Sequence, residues 1–153
     1  MERLLVCLDA SDRAPLVLAT AVDLARRLGA KVRLFRAVGL PHDVPAHLYS
    51  VSPENLVGLL IDEVKKDLTV QSRDVPPELL DGVSTHVGSP WDGICRAAIE
   101  HDADLIVIGS HGYGVVDRLL GTTAAKVVNH ADRPVLVVRP KSTMVPRAEA
   151  WTP

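Results

Sequence analysis

The chain has 153 residues, of which 47% are hydrophobic and 24% charged, and its formal net charge is −2. This length and composition are typical of one soluble globular domain and exclude a disordered or fibrous protein. Because the sequence has no basic stripe and only 3% aromatic residues, we expect it to bind neither nucleic acid nor an anionic membrane.

The cysteines and the N-terminus indicate the compartment. Cys7 and Cys95 lie in aliphatic surroundings without the spacing of a redox or metal motif, so we expect buried structural thiols in a reducing environment. The apolar run near Met1 is too short for a signal peptide or a membrane span. These features predict a cytoplasmic protein.

The first part of the chain predicts a strand, a helix and a second strand. The unbroken apolar run at 3–9 is typical of a strand covered on both faces of a parallel sheet. Ser11 or Asp12 can cap the helix that follows, and Gly29 ends it. The second strand is predicted at 31–38.

The middle of the chain predicts a loop, a helix and a short strand. Residues 39–53 contain three prolines and no periodicity, which is typical of a long exposed loop. Apolar residues at helical spacing predict a helix at about 54–72. Alternation and β-branched residues predict a strand at 83–88.

The last part of the chain predicts a helix, a strand, a glycine-rich loop, a further helix and a final strand. The first helix has Ser89 as its cap, Pro90 in its first turn and Asp92 as the acid of a capping box. The two strands are predicted at 105–108 and 133–140.

Strands that alternate with helices predict the fold class. Right-handed crossovers would give an α/β fold, a doubly wound parallel sheet of five strands with helices on both faces. Such sheets bind ligands at the carboxyl ends of the strands, where the chain order reverses. We expect one domain over 1–140 and a flexible tail over 141–153.

The glycine-rich loop carries the main functional signal. Gly109 and Gly112 can take positive φ and let the backbone approach a ligand. Gly121, Thr122 and Thr123 open a helix whose first amides lack intrahelical partners and whose dipole is positive. This combination predicts a phosphate site, although the glycines could merely shape a turn and a threonine could merely cap the helix. The spacing matches neither a Walker A loop nor a dinucleotide fingerprint.

Asp9 supplies a second candidate at the same edge of the predicted sheet. It closes the first buried strand, so its carboxylate is expected to project toward the crevice. There it could accept hydrogen bonds from a ribose hydroxyl or a base amine. Alternatively, Asp9 or Ser11 caps the following helix.

Three motifs resemble the universal stress protein family: "LDAS" after the first strand, "ADLIVIGSHGYG" and "GTTAAKVVNHADRPVLVV". The resemblance covers the chain from about Arg3 to Arg139. The family's glycine signature corresponds to Gly109, Gly112 and Gly121-Thr122, with one residue fewer between the second and third glycines than the family pattern has.

The resemblance implies an adenine nucleotide alpha hydrolase-like, three-layer fold of Rossmann type that binds ATP, with or without Mg²⁺, between the first and fourth strands. Asp9 would contact the adenosine part, and the backbone near Ala37 would face the base. The residues implied around the phosphates are Gly109, His111, Gly112, Gly121, Thr122 and Thr123. Family members that lack these glycines generally bind no nucleotide, so the resemblance is to the ATP-binding branch.

The resemblance also implies a homodimer. Family members commonly pair their last strands antiparallel, which here would involve Pro134 to Val138. An exposed aliphatic edge strand is otherwise an aggregation liability, so such pairing fits this segment.

The sequence gives little support for catalysis. His111 could contact a phosphate oxygen or polarise water, or it could be a loop histidine bonded to backbone. No catalytic residue and no metal ligand is predicted. Our hypothesis is a cytoplasmic ATP-binding protein that acts in signalling or stress response through nucleotide occupancy, with little or no turnover. The alternatives are a weak ATP hydrolase and a nucleotide-free dimeric interaction protein.

Overall fold

The structure is a computed structural model that describes residues 1–39, 53–110 and 120–140. Its strands and α-helices, in chain order, are β1 (Arg3–Cys7), α1 (Ala14–Leu28), β2 (Lys31–Val38), α2 (Pro53–Gln71), β3 (Leu80–Val87), α3 (Pro90–Glu100), β4 (Leu105–Gly109), α4 (Thr122–His130) and β5 (Val135–Val138). The predicted tail at 141–153 and nearly all of the predicted loop at 39–53 lie outside the described residues.

The strands form one parallel sheet in the order β3-β2-β1-β4-β5. The chain runs outward from β1 to β3, returns across the sheet, and then runs outward again through β4 and β5. The predicted doubly wound α/β fold is therefore confirmed. The reversal of direction lies between β1 and β4, which are neighbours.

Side chains on the two faces of the sheet form two hydrophobic clusters. One face packs against α1 and α2, with Leu4, Leu34 and Val107 at its centre and Leu68 from α2. The residues of the other face pack against α3 and α4, and they include Leu5, Phe35, Ile106, Ile94 and Val127. Successive strand residues alternate between these clusters because side chains of a strand point to opposite faces. Burial on both faces explains the unbroken apolar runs in the sequence.

The boundaries differ from the sequence prediction at β1, β3 and β5. β5 is shorter than the predicted strand at 133–140, since it spans only Val135–Val138. β1 ends at Cys7 rather than at Asp9, because the Leu8 and Asp9 carbonyls accept hydrogen bonds from the Arg36 side chain. β3 begins at Leu80, before the predicted start of the strand, because it pairs with β2 through a bulge next to Gly82. The strand predicted at 31–38 is confirmed, as is the end of α1 at Gly29, whose φ is 65°.

The predicted helix caps are only partly correct. Arg13, not Ser11 or Asp12, occupies the N-cap of α1. Ser89 occupies the N-cap of α3, but its side chain makes no capping hydrogen bond. Asp92 pairs with Arg96 along the helix at 2.6 Å instead of completing a capping box.

Among the described residues, none of the helices combines the length and the apolarity that a membrane crossing requires.

Candidate functional site

A cavity of about 470 Å³ opens at the carboxyl edge of the sheet, beside the β1–β4 junction. It is bounded by the ends of β1, β2 and β4 and by the starts of α1, α3 and α4. This is the position that a doubly wound sheet offers to a ligand. The volume is within the range of small-molecule sites.

Six of the eight nucleotide-site residues predicted from the sequence line this cavity. They are Asp9, Ala37, Gly109, Gly121, Thr122 and Thr123. The other two, His111 and Gly112, lie outside the described residues. The cavity thus brings together residues from four separate stretches of the chain, while the role of each toward a ligand stays a prediction.

Asp9 follows β1 and forms a local turn. Its Oδ1 accepts hydrogen bonds from the Ser11 backbone N–H at 3.1 Å and from the Ser11 hydroxyl at 2.6 Å. The alternative that Asp9 caps α1 is not realised, since the N-cap is Arg13. Ser11 thereby fixes the direction of the carboxylate, which remains exposed at the cavity wall.

Arg36 is a buried charged side chain in the same wall, and sequence reasoning missed it. Its side chain is 8% exposed and lies at the end of β2. It donates to the Leu8 carbonyl from Nε at 3.1 Å and to the Asp9 carbonyl from Nη2 at 3.2 Å. The only signal in the sequence is a cation within the hydrophobic run of β2. Nothing local to that run indicates what the cation bonds.

Gly109 ends β4 without the positive φ that the sequence had suggested. Among the described residues, the glycines with positive φ are Gly29, Gly82 and Gly88. Packing at Gly109 is tight, because a Cβ there would lie 3.2 Å from Val17 Cγ2 of α1 and the valine would have to move by a few tenths of an ångström. The absence of a side chain also leaves the backbone of Gly109 bare at the cavity.

The start of α4 faces the cavity with its positive end. Gly121 is the N-cap, Thr122 and Thr123 form the first turn, and no side chain caps the helix. The Ala125 N–H donates an intrahelical hydrogen bond to the Gly121 carbonyl at 2.8 Å. The amides before Ala125 are those that an α-helix leaves without an intrahelical partner. They and the two threonine hydroxyls make this end of the cavity suitable for an anion.

The model of the universal stress protein family matches residues 1–139 of the chain. The chain belongs to this family. A Thermus aquaticus universal stress protein, encoded in the QAH/OAS sulfhydrylase 3′ region, is 33% identical in an alignment of 146 residues that covers 90% of this chain and 98% of that protein. Universal stress protein YxiE of Bacillus subtilis is 30% identical over 148 residues, with 90% and 99% covered.

Solved universal stress protein structures share the fold. UspA from Lactobacillus plantarum has a TM-score of 0.72 and 26% identity, with 90% of this chain and 97% of that chain covered. A universal stress protein in complex with cAMP has a TM-score of 0.60 at 23% identity, with 90% and 96% covered. A third, from Archaeoglobus fulgidus in complex with dAMP, has a TM-score of 0.55 at 24% identity, with 91% and 98% covered.

In this member of the universal stress protein family, the floor of the cavity is apolar. Cys7, Phe35, Ile94 and Ile108 line it, each with under a tenth of its surface exposed. Burial raises the pKa of the Cys7 thiol far above its ordinary value, and the neighbouring Cys95 raises it further. Cys7 is therefore a neutral, inert part of the wall at physiological pH. Both cysteines are free thiols, but only Cys7 is buried as the sequence predicted, whereas Cys95 is half-buried.

Arg13 is a second cation of the cavity that sequence reasoning did not single out. It occupies the N-cap of α1 and lines the cavity, so the positive ends of α1 and α4 both face it. Among the described lining residues, Asp9 is the only carboxylate. The described residues contain no cluster of three or more histidine, cysteine or acidic side chains suited to a metal.

Proposed function

We propose that this chain binds ATP in the cavity at the β1–β4 junction and acts through nucleotide occupancy, with little or no turnover. The observation that carries the proposal is one cavity with two chemically different ends. An acid stands over an apolar floor at one end, and a helix N-terminus with two hydroxyls stands at the other. Two structural relatives in the same family were solved with adenine nucleotides, cAMP and dAMP.

The end formed by β1 and β2 suits adenosine. The apolar floor of Phe35, Ile94 and Ile108 offers a surface for a flat base. Asp9 faces the same space, and an ionised carboxylate accepts hydrogen bonds from ribose hydroxyls or from the amine of adenine. Ala37 brings the backbone at the end of β2 to the cavity, where it can pair with the edge of the base.

The end formed by β4 and α4 suits the phosphates. The first amides of α4 and the hydroxyls of Thr122 and Thr123 are hydrogen-bond donors, which an anion requires. Gly109 allows the chain to pass close to a phosphate because it has no side chain there. We extend the site to His111 and Gly112, which follow Gly109 in the sequence and whose contribution is a prediction.

Slow turnover fits the small number of acidic groups among the described residues of the cavity wall. Phosphoryl transfer usually employs a group that holds Mg²⁺ and a group that positions the attacking water. The one carboxylate of the described cavity wall, Asp9, lies at the adenosine end and is already bonded to Ser11. We therefore propose a signalling or stress-response module in the cytoplasm rather than an ATPase.

The test is calorimetric titration with ATP and with adenosine. Thr122→Val and Thr123→Val remove only hydroxyls, so each should weaken ATP binding several-fold, by about 1 kcal/mol, and leave adenosine binding unchanged. Asp9→Asn should weaken both ligands by about 1.5–3 kcal/mol because it removes a charged acceptor. Thr69→Val is the matched control, since Thr69 is exposed on α2 and its hydroxyl donates to the Lys65 carbonyl. A wild-type chain that takes up no adenine nucleotide at millimolar concentration would refute the proposal.

Phosphate release separates occupancy from hydrolysis. Purified protein with ATP and Mg²⁺ should release no more phosphate than the Thr122→Val/Thr123→Val double variant. Release well above that variant would instead establish the alternative, a weak ATP hydrolase.

We also propose that the protein is a homodimer paired through its last strands. β5 is an edge strand of four residues, and Val135, Leu136 and Val137 are only partly buried. Antiparallel pairing of two β5 edges would cover these aliphatic side chains and the unpaired backbone groups beside them.

A further inference from the structure

Arg36 is an unusual residue for the face of a hydrophobic sheet. It occupies the same side of β2 as Leu34, among the residues that pack against α2. In the described residues, Arg36 and Ser110 are the buried polar side chains. A buried guanidinium loses its hydration, so it is tolerated only where hydrogen bonds replace the lost water.

The guanidinium replaces the sheet ladder where β1 ends. The last ladder bond on this side runs from the Leu8 N–H to the Phe35 carbonyl at 2.9 Å. Beyond it, the Leu8 and Asp9 carbonyls accept hydrogen bonds from Arg36 Nε and Nη2 at 3.1 and 3.2 Å. Asp9 is therefore held at two points, its carbonyl by Arg36 and its carboxylate by Ser11.

The same guanidinium contacts α2. Nη2 also donates to Gln71 Oε1 at 3.1 Å, and Nη1 lies 3.4 Å from Asp67 Oδ2. Arg36 thus joins the end of β1 to two residues that are one turn apart on α2. Asp67 is exposed, so solvent screens its attraction to the Arg36 charge and the ion pair contributes little. The hydrogen bond to the neutral Gln71 side chain is less affected by solvent.

We propose that Arg36 is a positioning residue of the nucleotide site, which acts through Asp9 and makes the placement of α2 part of adenosine recognition. This inference rests on the proposed function. Three of the five guanidinium hydrogens, that of Nε and both of Nη2, are directed to protein acceptors, which favours a positioning role over direct contact with phosphate. The effect of Arg36 is to fix the backbone from which the Asp9 carboxylate projects.

The test measures selectivity rather than affinity alone, because a merely structural role would weaken all ligands alike. Calorimetry compares ATP with 2′-deoxyATP, 3′-deoxyATP and inosine triphosphate, which each lack one group that Asp9 could bind. The selectivity that depends on Asp9 is the part of the preference for ATP over each analogue that the Asp9→Asn variant loses. Arg36→Met should lose that same selectivity and weaken ATP binding by about tenfold, the size of one lost charged hydrogen bond. Arg36→Lys should keep part of the selectivity, since a lysine retains the positive charge but cannot donate to several acceptors with the planar geometry of a guanidinium.

Arg33→Met is the matched control. Arg33 lies on the same strand, but its side chain pairs with Asp81 at 2.9 Å and does not line the nucleotide cavity. The Arg33→Met variant should keep the wild-type preference for ATP over each analogue. The double variant Asp9→Asn/Arg36→Met should bind ATP within about twofold of Asp9→Asn alone, because two residues that act through one contact are not additive.

A second pair of variants tests the link to α2 and leaves the buried charge in place. The double variant Gln71→Met/Asp67→Ala removes both α2 acceptors, while Arg36 keeps its bonds to the Leu8 and Asp9 carbonyls. It therefore serves as the test if Arg36→Met does not fold. It should lose at least half of the selectivity that depends on Asp9. Unchanged selectivity in this variant would overturn the role of α2.

The outcomes separate this inference from the proposed function. If the wild-type chain binds no adenine nucleotide, the proposed function fails and the inference fails with it. If the wild-type chain is selective through Asp9 while Arg36→Met keeps full selectivity, only the inference is overturned. The inference would also be overturned if Arg33→Met and Arg36→Met lost equal amounts of selectivity, or if Asp9→Asn lost none.

Discussion

Asp104 joins the starts of β1 and β4 at the edge of the sheet opposite the cavity. Its Oδ2 accepts hydrogen bonds from the backbone N–H groups of Glu2 and Arg3, at 2.5 and 3.0 Å. These two bonds hold the pKa of the Asp104 carboxyl below its ordinary value. The carboxylate therefore stabilises the folded chain although it is exposed.

We expect Asp104 to make stability depend on pH in acid. A carboxyl whose pKa is lower in the folded state stabilises the fold above its unfolded pKa, about 3.9, and this contribution is lost as the pH falls through the folded value. Asp104→Asn should lower the free energy of unfolding at pH 7, and the difference from the wild type should shrink as the pH falls below about 4. Urea denaturation at a series of pH values measures this.

Asp102→Asn is the control for that experiment. Asp102 forms an exposed ion pair with Arg3 at 2.8 Å, and exposed pairs contribute little. A difference between Asp104→Asn and the wild type that stays constant from pH 7 into acid would contradict the role given to the carboxylate.

At the scale of the elements, the contact between α3 and β3 depends on a glycine. A Cβ at Gly93 of α3 would lie 2.7 Å from Cδ2 of His86, which β3 presents to that helix. Gly58 lies in α2 with nothing within 4 Å of its Cβ position. The two glycines occupy the same secondary structure but different environments.

Gly93→Ala should destabilise the protein by about 1–3 kcal/mol, because the histidine ring or the helix must shift. Gly58→Ala should stabilise it by about 0.5–1 kcal/mol through the better helix propensity of alanine. Chemical denaturation of both variants measures the difference. In a His86→Ala background, Gly93→Ala should no longer destabilise; a loss that persists there would show that the ring is not the cause.

For the molecule as a whole, the edge of the sheet formed by β5 leaves backbone hydrogen-bonding groups without a partner strand. The Pro134 and Val138 carbonyls accept from the Ile106 and Ser110 N–H groups of β4 and its end. Since backbone groups alternate along a strand, those of Val135 and Val137 point away from β4. A partner strand would pair with these groups.

Val137→Pro should weaken dimerisation without breaking the β4 ladder, because it removes a backbone N–H that points away from β4. In a symmetric pair the change occurs twice, so the dimer dissociation constant should rise by about tenfold or more. Sedimentation equilibrium measures it. Thr85→Pro is the control on the opposite edge strand, β3. The Gly88 N–H donates to the Val38 carbonyl of β2, so by alternation the backbone N–H of Thr85 points away from β2. A monomeric wild type, or a dimer lost equally in both variants, would contradict pairing through β5.

Local sequence patterns were enough to predict the alternation of strands and helices, the strand at 31–38, the end of α1 at Gly29 and a glycine-rich segment after β4. These features depend on residues that are near one another in the chain: apolar runs, helical spacing and a glycine that tolerates positive φ. The gathering of Asp9, Gly109 and Gly121 at one edge followed from the fold class, since all parallel strands end at the same edge.

The contact partners of Arg36 and Gly109 become visible only in the folded chain. Arg36 bonds the end of β1 and the side of α2, and Gly109 accommodates Val17 of α1. Gly109 does not use the positive φ that a glycine can take, and its close neighbour is a side chain of α1 rather than a turn of its own chain segment. Contacts between distant segments depend on how the faces of sheet and helices meet, and no local pattern in the chain specifies that geometry.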